Sequence, residues 1–180
     1  MIPKAQYLAA RARAAAMMRE AGVVVSDKEV EEMDVTDFGL SRLETEGAQI
    51  TALVGTDKIA ARVIVLFPHQ TEPEHWHIPV GSFPGKEETL RVIKGTLLLY
   101  TPGEDNIAIG HIPADRDKYY TARHEMIMKP CDTITLPAGT KHWFQATNEG
   151  VVFYTISTTA VDAADPWSDP NIVRKSVIGD

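Results

Sequence analysis

The chain has little cysteine, no long apolar run and no dense positive charge. Its 180 residues include one cysteine, Cys131, which excludes an intrachain disulfide and a zinc site made of several thiolates. A lone cysteine is commonly a small buried thiol, and we expect this of Cys131. No stretch approaches the roughly 20 apolar residues that a membrane-spanning helix needs. We therefore expect no membrane partner.

The balance of charge excludes a second class of partner. Lys and Arg together number 18 against 25 Asp and Glu, which gives a formal net charge of −7. Nucleic-acid binding normally leaves a basic footprint, so we expect no nucleic-acid partner. Charged residues such as Lys4, Arg11 and Arg13 interrupt the first segment. That segment does not read as a signal peptide, and the expected location is the cytoplasm.

Two helices are predicted before any strand. Alanine is dense within residues 3–21, and Gly22 is placed to end the first helix. Ser26-Asp27-Lys28-Glu29 is a capping-box pattern that begins a second helix, which fades near Met33. We expect both helices to pack on the outside of the remaining fold. A partner-binding amphipathic helix is the alternative.

From Asp34 onward, short runs rich in Val, Ile, Thr and Tyr alternate with turn residues. Such a succession of short strands predicts an all-β fold, a double-sheet barrel. Nothing divides the chain, so we expect one domain with helices in 1–33, a barrel in 34–160 and a tail in 161–180. Trp167 in that tail covers the barrel mouth, contacts a partner or only anchors the tail. The expected strands are Ile50–Val54, Ala60–Phe67, Leu90–Tyr100, Met126–Met128, Thr133–Leu136 and Val151–Ser157.

Four residues have the spacing of a metal site. His75 and His77 are two positions apart, so on a strand both imidazoles face the barrel interior. Glu88 follows a loop rich in Pro and Gly and is expected on the next strand, while His142 follows another such turn. Three imidazoles and a carboxylate suit Mn, Fe, Co, Ni or Zn but not Ca, and they leave open coordination positions. A metal-dependent enzyme is therefore predicted.

The other three histidines are not expected to belong to the metal site, and a closed zinc site is the competing interpretation of the four residues. His69 and His111 lie beside prolines and are expected at the surface, and His124 is also outside the metal set. A closed structural zinc site is the weaker reading of the constellation, because such sites are usually rich in cysteine.

Long motifs surround the metal residues, in the segments Asp34–Gly39 with Gly47, Val65–Pro68, Gln70–Thr71, Pro73–Pro79, Gly85–Thr89, His124–Glu125 and Pro137–Gln145. These motifs resemble the D-lyxose isomerase family, cupins that are metal-dependent aldose–ketose isomerases. The resemblance implies a cupin barrel (a double-stranded β-helix, or jelly roll) and a monosaccharide substrate. It places His75, His77, Glu88 and His142 on the family's metal ligands, usually for Mn²⁺, and Lys86 on its active-site lysine. Independently, the spacing of two puts Lys86 on the face of Glu88; a solvated loop cation is the alternative.

One position departs from the family pattern. The resemblance implies a catalytic glutamate in the strand after the last histidine, and Thr155 stands there. Threonine cannot act as a carboxylate base, so another carboxylate, a hydride shift or lost activity must follow. Glu125 is the first candidate for the missing catalytic carboxylate, and Asp162 or Asp165 could reach the barrel mouth from the tail.

The leading prediction is interconversion of an aldose and a ketose, D-lyxose and D-xylulose or D-mannose and D-fructose. Another metal-dependent cupin enzyme, such as a dioxygenase, is the first alternative, because the same ligand set serves several chemistries. A sugar-binding cupin that has lost catalysis is the second, and Thr155 motivates it. A homodimer is expected, since two-fold dimers are the commonest oligomers.

Overall fold

A computed structural model describes residues 1–159 and 161–180. Both predicted helices are present, as α1 (Lys4–Glu20) and α2 (Asp27–Glu31). At the start of α2 the amide of Glu29 donates to Ser26 Oγ at 3.2 Å, and the amide of Ser26 donates to Glu29 Oε2 at 2.7 Å. These two bonds satisfy otherwise unpaired donors of the first turn, so the capping box predicted from the sequence is confirmed.

The strands begin and end close to their predicted positions. Each expected strand overlaps an observed one. Three short strands (Ile2–Pro3, Asp34–Thr36 and Ile178–Gly179), most of the strand that ends at His75 and the start of the last long strand were not predicted. The observed strands are β1 (Ile2–Pro3), β2 (Asp34–Thr36), β3 (Ala48–Gly55), β4 (Ile59–Leu66), β5 (Thr71–His75), β6 (Glu88–Thr101), β7 (His124–Met128), β8 (Thr133–Leu136), β9 (His142–Thr158) and β10 (Ile178–Gly179).

The two long strands β6 and β9 hold the barrel together, because each pairs with different strands in its first and second parts. The first half of β9 pairs with β5, and the second half pairs with β4. The first part of β6 pairs with β8 and the last part with β7. The strands turn the corner near Gly95 and Gly150, where a Cβ on Gly95 would lie 2.0 Å from the Gly150 carbonyl oxygen. The result is the predicted all-β cupin barrel.

Apolar side chains fill the barrel interior and a second layer outside it. Leu66, Leu90 and Phe153 are among the fully buried interior residues. Outside the sheet, Ala14 and Met18 of α1 belong to a separate buried cluster with side chains of β4 and neighbouring strands. The helices therefore cover the outer face of the barrel, as expected.

The C-terminal segment is more than an unstructured tail. β10 pairs in parallel with β1, with Ile178 opposite Ile2, so the two ends of the described chain meet. Before that, Trp167 forms an isolated bridge with His75 at the end of β5. The segment therefore runs along the barrel mouth. Residue 160, the predicted end of the barrel, lies outside the described residues, and β9 ends at Thr158.

One expectation about an individual side chain was wrong. Cys131 is exposed, and its backbone has a φ of 79° in the turn between β7 and β8. A residue at the tip of a two-strand connection has no core to enter, so the general burial of free cysteines does not apply to it. Among the described residues, no helix combines the length and apolar character needed to cross a membrane.

Candidate metal centre

Three buried imidazoles converge inside the barrel. His75 ends β5 and His142 begins β9, and the two residues are paired across the sheet. His77 lies just beyond β5, so the predicted strand does not extend to it, yet its ring centroid is 5.1 Å from that of His75. One ring nitrogen from each histidine lies within 4.8 Å of the others. This spacing is compatible with one shared metal ion.

Backbone carbonyls fix the orientation of two of these rings. Nδ1 of His75 donates to the Pro73 carbonyl at 2.8 Å, and Nδ1 of His142 donates to the Thr140 carbonyl at 2.7 Å. A carbonyl oxygen only accepts, so each Nδ1 carries the proton and each Nε2 keeps its lone pair. Nε2 of His142 is buried without a hydrogen-bond partner among the described residues. Such an orientation is what metal-ligating imidazoles require.

Carboxylates act on the third imidazole, His77. Its Nδ1 lies 2.9 Å from Asp165 Oδ2, and its Nε2 lies 3.4 Å from Glu88 Oε2. Burial alone would lower the pKa of His77, but these two carboxylates raise it above its usual value. Asp165 belongs to the C-terminal segment, which therefore contributes directly to the site.

The other two imidazoles are held neutral. Burial, with the neighbouring His142 and His77, places the pKa of His75 well below its ordinary value. Burial also lowers the pKa of His142 to about 4, against a smaller opposing effect of Glu88. Metal binding needs neutral imidazoles, since a protonated ring has no lone pair to donate. Both rings are therefore ready to act as ligands at neutral pH.

Glu88 and Lys86 complete the group. Glu88 is the first residue of β6, and its Oε2 lies 3.7 Å from Nε2 of His142. Its Oε1 accepts a hydrogen bond from Lys86 Nζ at 2.9 Å. Lys86 precedes the strand, yet only 5% of it is exposed, so it is not a solvated loop cation. Burial would raise the pKa of Glu88, but Lys86 and the histidines hold it well below its usual range.

A bulge in β5 brings a further carboxylate, Glu72, to the same cavity. Glu72 is paired with Phe144 and His75 with His142, so three steps on β5 match two steps on β9. Strict alternation would put residues three apart on opposite faces, but an extra residue turns both inward. Glu72 therefore lines the cavity with the imidazoles.

Apolar and cationic side chains form the rest of the cavity wall. The ring centroid of Trp167 lies 4.7 Å from that of His75 and 5.1 Å from that of Phe38. Arg62 and Arg174 line the same cavity. Of the alternatives for Trp167, the structure places it at the barrel mouth. The cavity lining thus combines the aromatic side chains of Phe144 and Trp167, two guanidinium groups and a cluster of metal-type ligands.

Glu125, the predicted catalytic carboxylate, is not brought to this cavity. Its Oε2 accepts from Tyr100 Oη at 2.8 Å and from the amide of Gly110 at 2.8 Å, and its Oε1 accepts from the amides of Ala108 and Ile109. These donors outweigh burial and lower its pKa. The carboxylate thus fixes the loop before β7 and does not line the cavity.

The remaining sequence candidates have other positions. Asp162 pairs with Arg62 at 2.6 Å, which offsets its burial and lowers its pKa. Thr155 is paired with Arg62 on one side and Leu90 on the other, so it faces the barrel interior. His69 and His111 are exposed, as expected.

Glu72, Arg62 and Arg174 are cavity residues that the sequence did not reveal. Arg62 lies in a run that reads as an ordinary strand, and Arg174 in a segment without periodicity. Glu72 precedes His75 by three positions, and on a regular strand that spacing puts the two side chains on opposite faces. A signal did exist for it: Pro73 follows directly, and proline within a strand run often marks a bulge.

Glu72 should make the metal-free protein less stable as pH rises. Burial raises its pKa from 4.5 to about 7, with Glu88 adding to this and Arg174, Lys86 and Arg62 opposing it. Between these two pKa values the folded state keeps a proton on Glu72 that the unfolded state has released. The free energy of unfolding therefore falls as pH rises through this range.

Glu72→Gln is the reference protein for this effect, because glutamine at position 72 does not titrate. In EDTA, the free energy of unfolding of wild type relative to Glu72→Gln should fall by about 2 to 3 kcal/mol between pH 5 and pH 8.5. Urea unfolding at both pH values measures it. A difference between the two proteins that does not change with pH contradicts the buried titrating carboxyl.

Fold and site together define a class: a cupin barrel with three imidazoles and one carboxylate buried at its mouth. No family model matches the chain. The chain is 41% identical to a D-lyxose ketol-isomerase of Cohnella laeviribosi, over 96% of both chains. It is 38% identical to a D-lyxose ketol-isomerase of a Thermofilum species, over 97% of both. A D-lyxose/D-mannose isomerase of Thermosediminibacter oceani is 39% identical over 91% of both. The chain belongs to the D-lyxose ketol-isomerase family, whose members are aldose–ketose isomerases.

Solved structures agree on the fold. The L-ribose isomerase of Cellulomonas parahominis matches with a TM-score of 0.81 over 99% of this chain and 98% of its own, at 14% identity. That of Acinetobacter sp. DL28 matches with a TM-score of 0.80 at 12% identity. At such identities the likeness shows the shared fold, which includes the N-terminal helices and the C-terminal segment.

Proposed function

We propose that this protein interconverts D-lyxose and D-xylulose at a divalent metal ion held by His75, His77, Glu88 and His142. The observation that carries the proposal is the convergence of the three imidazoles, each presenting one ring nitrogen within 4.8 Å of the others. The relatives named for D-lyxose, which match nearly the whole chain, support the substrate. D-Mannose and D-fructose are the second substrate pair, since one relative is named for both aldoses.

The donor set fits a transition metal of intermediate hardness. Three imidazoles, which are neutral once a metal is bound, and one ionised carboxylate favour Mn²⁺, Fe²⁺, Co²⁺, Ni²⁺ or Zn²⁺. Mn²⁺ is our first choice because the family resemblance implies it. When bound, such a cation supplies Lewis-acid polarisation of the sugar's carbonyl and adjacent hydroxyl oxygens. The buried, partnerless Nε2 of His142 supports this assignment.

The chain's own side chains would orient the sugar and exchange protons with its oxygens. Lys86 Nζ, buried beside Glu88, is placed to give a proton to one substrate oxygen and recover it from the neighbouring one. Arg62 and Arg174 offer donors to the remaining hydroxyls. Trp167 and Phe144 exclude water from the reacting carbons, which protects a reactive intermediate.

Turnover of a sugar panel tests the proposal. Protein stripped with EDTA and reloaded with Mn²⁺ should convert D-lyxose to D-xylulose, and the stripped protein should lose most of that activity. Separation of the sugars by chromatography measures both. Activity that is equal before and after metal removal would contradict the metal assignment, and no turnover of any aldose would contradict the isomerase.

Thr155 favours one competing function, a sugar-binding cupin without catalysis. The residue faces the barrel interior at the position where the family resemblance implies a glutamate. In that case the metal-loaded protein binds pentoses in calorimetry but turns over none of the panel. A homodimer remains part of the proposal, and light scattering of the purified protein tests it.

A further inference from the structure

The cavity beside the imidazoles is lined by three carboxylates, and only one of them is free. Glu88 is engaged by Lys86 and faces the histidines, and Asp165 lies 2.9 Å from Nδ1 of His77. Glu72 has no hydrogen bond or ion pair within the described residues. It is 6% exposed, and its Oε2 is buried without a partner. A buried carboxyl group without a partner lowers the stability of the fold, and such a cost is often explained by a function.

The position of Glu72 is built by the fold. The bulge at Pro73 and Glu74 turns its side chain to the face that carries His75, and the carbonyl of Pro73 in that bulge also orients the His75 ring. Opposite Glu72 stands Phe144, whose ring centroid is 5.1 Å from that of His142. One irregularity of β5 thus places a free carboxylate and a candidate metal ligand together.

The other candidate bases are occupied elsewhere. Glu125 accepts hydrogen bonds from Tyr100 and three backbone amides outside the cavity, and Asp162 is neutralised by Arg62. Thr155 has no acidic group. Among the described residues that line the cavity, Glu72 is therefore the carboxylate without a hydrogen-bond or ion-pair partner.

We infer that Glu72 is the carboxylate that carries the proton between the two carbons of the sugar, in place of the glutamate expected at Thr155. The inference rests on the proposed isomerase function. Its raised pKa suits a group that must take and return a proton near neutral pH.

The step balances without any further reactant. The ionised carboxylate of Glu72 takes the proton from C2 of the aldose. The electron pair of that C–H bond forms the C1–C2 double bond, while the C1 carbonyl pair moves to O1, which takes a proton from Lys86. The O2 proton then returns to Lys86, the C2 carbonyl forms, and the C1–C2 pair takes the proton from Glu72 at C1. The sugar has become a ketose, and both side chains are restored.

The test compares Glu72→Gln with wild type, with Glu125→Gln as the rival and Glu149→Gln, an exposed position, as the matched control. Each Mn²⁺-loaded protein is assayed for kcat, metal content and the Kd of D-lyxose by calorimetry. For Glu72→Gln we expect kcat to fall by about 10²- to 10⁴-fold, with metal content unchanged and Kd within about threefold of wild type. The Glu149 variant should match wild type.

The outcomes separate this inference from the proposed function. An active wild type with an equally active Glu72→Gln overturns the inference alone, as does a larger fall in kcat for a folded Glu125→Gln. Loss of metal from Glu72→Gln would make Glu72 a ligand and also overturns it. A wild type that converts no sugar overturns the proposed function and the inference with it. Folded Thr155→Glu should show no gain in kcat, and a tenfold gain would mean that the base is missing from wild type.

Discussion

Replacement of His142 by alanine should reduce the bound metal from about one ion per chain to near zero after dialysis. His142 is fully buried, and its Nε2 points at the other imidazoles with no hydrogen-bond partner in the described chain. Removal of this ring takes away one of four proposed ligands and leaves a gap that no neighbour fills. Turnover should fall by at least about 10³-fold, since the Lewis-acid contribution is worth several kcal/mol. Elemental analysis and the sugar assay measure the two effects.

A matched control is available in the same chain. His111 is exposed and outside the cluster, so His111→Ala should keep the metal content and activity of wild type. Thermal unfolding of both variants in EDTA separates metal loss from loss of fold. Unchanged metal content in a folded His142→Ala would rule out the ligand assignment.

Replacement of Lys86 by methionine should separate metal binding from catalysis. Lys86 Nζ donates to Glu88 Oε1 at 2.9 Å, so its removal frees a carboxylate oxygen without removing a proposed ligand. Metal content should therefore stay near one ion per chain. Turnover should fall by about 10²- to 10⁴-fold, because a positioned proton donor and acceptor at the sugar oxygens is lost.

Lys86→Arg distinguishes two roles of Lys86, proton exchange with the sugar oxygens and simple balance of the Glu88 charge. Arginine keeps the positive charge beside Glu88 but does not release its proton near neutral pH. Lys86→Arg should consequently be nearly as inactive as Lys86→Met, with metal retained in both. Recovery of more than about half of the wild-type kcat in Lys86→Arg would show that Lys86 only balances the charge of Glu88.

The sequence was informative wherever local spacing decides geometry. The spacing of two between His75 and His77, and the Pro/Gly-rich turns before Glu88 and His142, predicted a shared site. The structure places these four residues together. The capping box at Ser26 predicted the start of α2 for the same reason, since all its partners lie within four residues. Periodicity of Val, Ile and Thr predicted the barrel class.

The sequence was uninformative wherever distant segments or irregular backbone decide geometry. Glu72 faces the cavity only because β5 contains a bulge, and alternation from His75 predicts the opposite face. Asp165 and Trp167 reach the site from a segment without periodicity, and the sequence left their position open. Glu125 matched a family motif, but the three amides that engage it belong to a loop 15 to 17 residues earlier.

A single measurement tests the central claim, that this barrel uses its buried metal-type centre to isomerise an aldose by proton transfer. The Mn²⁺-loaded protein is incubated with D-lyxose in deuterated water and followed by NMR. The proton that Glu72 takes from C2 is held as an exchangeable O–H, so we expect part of the D-xylulose to carry solvent deuterium at C1. We expect no product from EDTA-stripped protein. A complete absence of solvent deuterium from the product after many turnovers would contradict the proton transfer. The absence of ketose from D-lyxose and D-mannose alike would contradict the proposed isomerase.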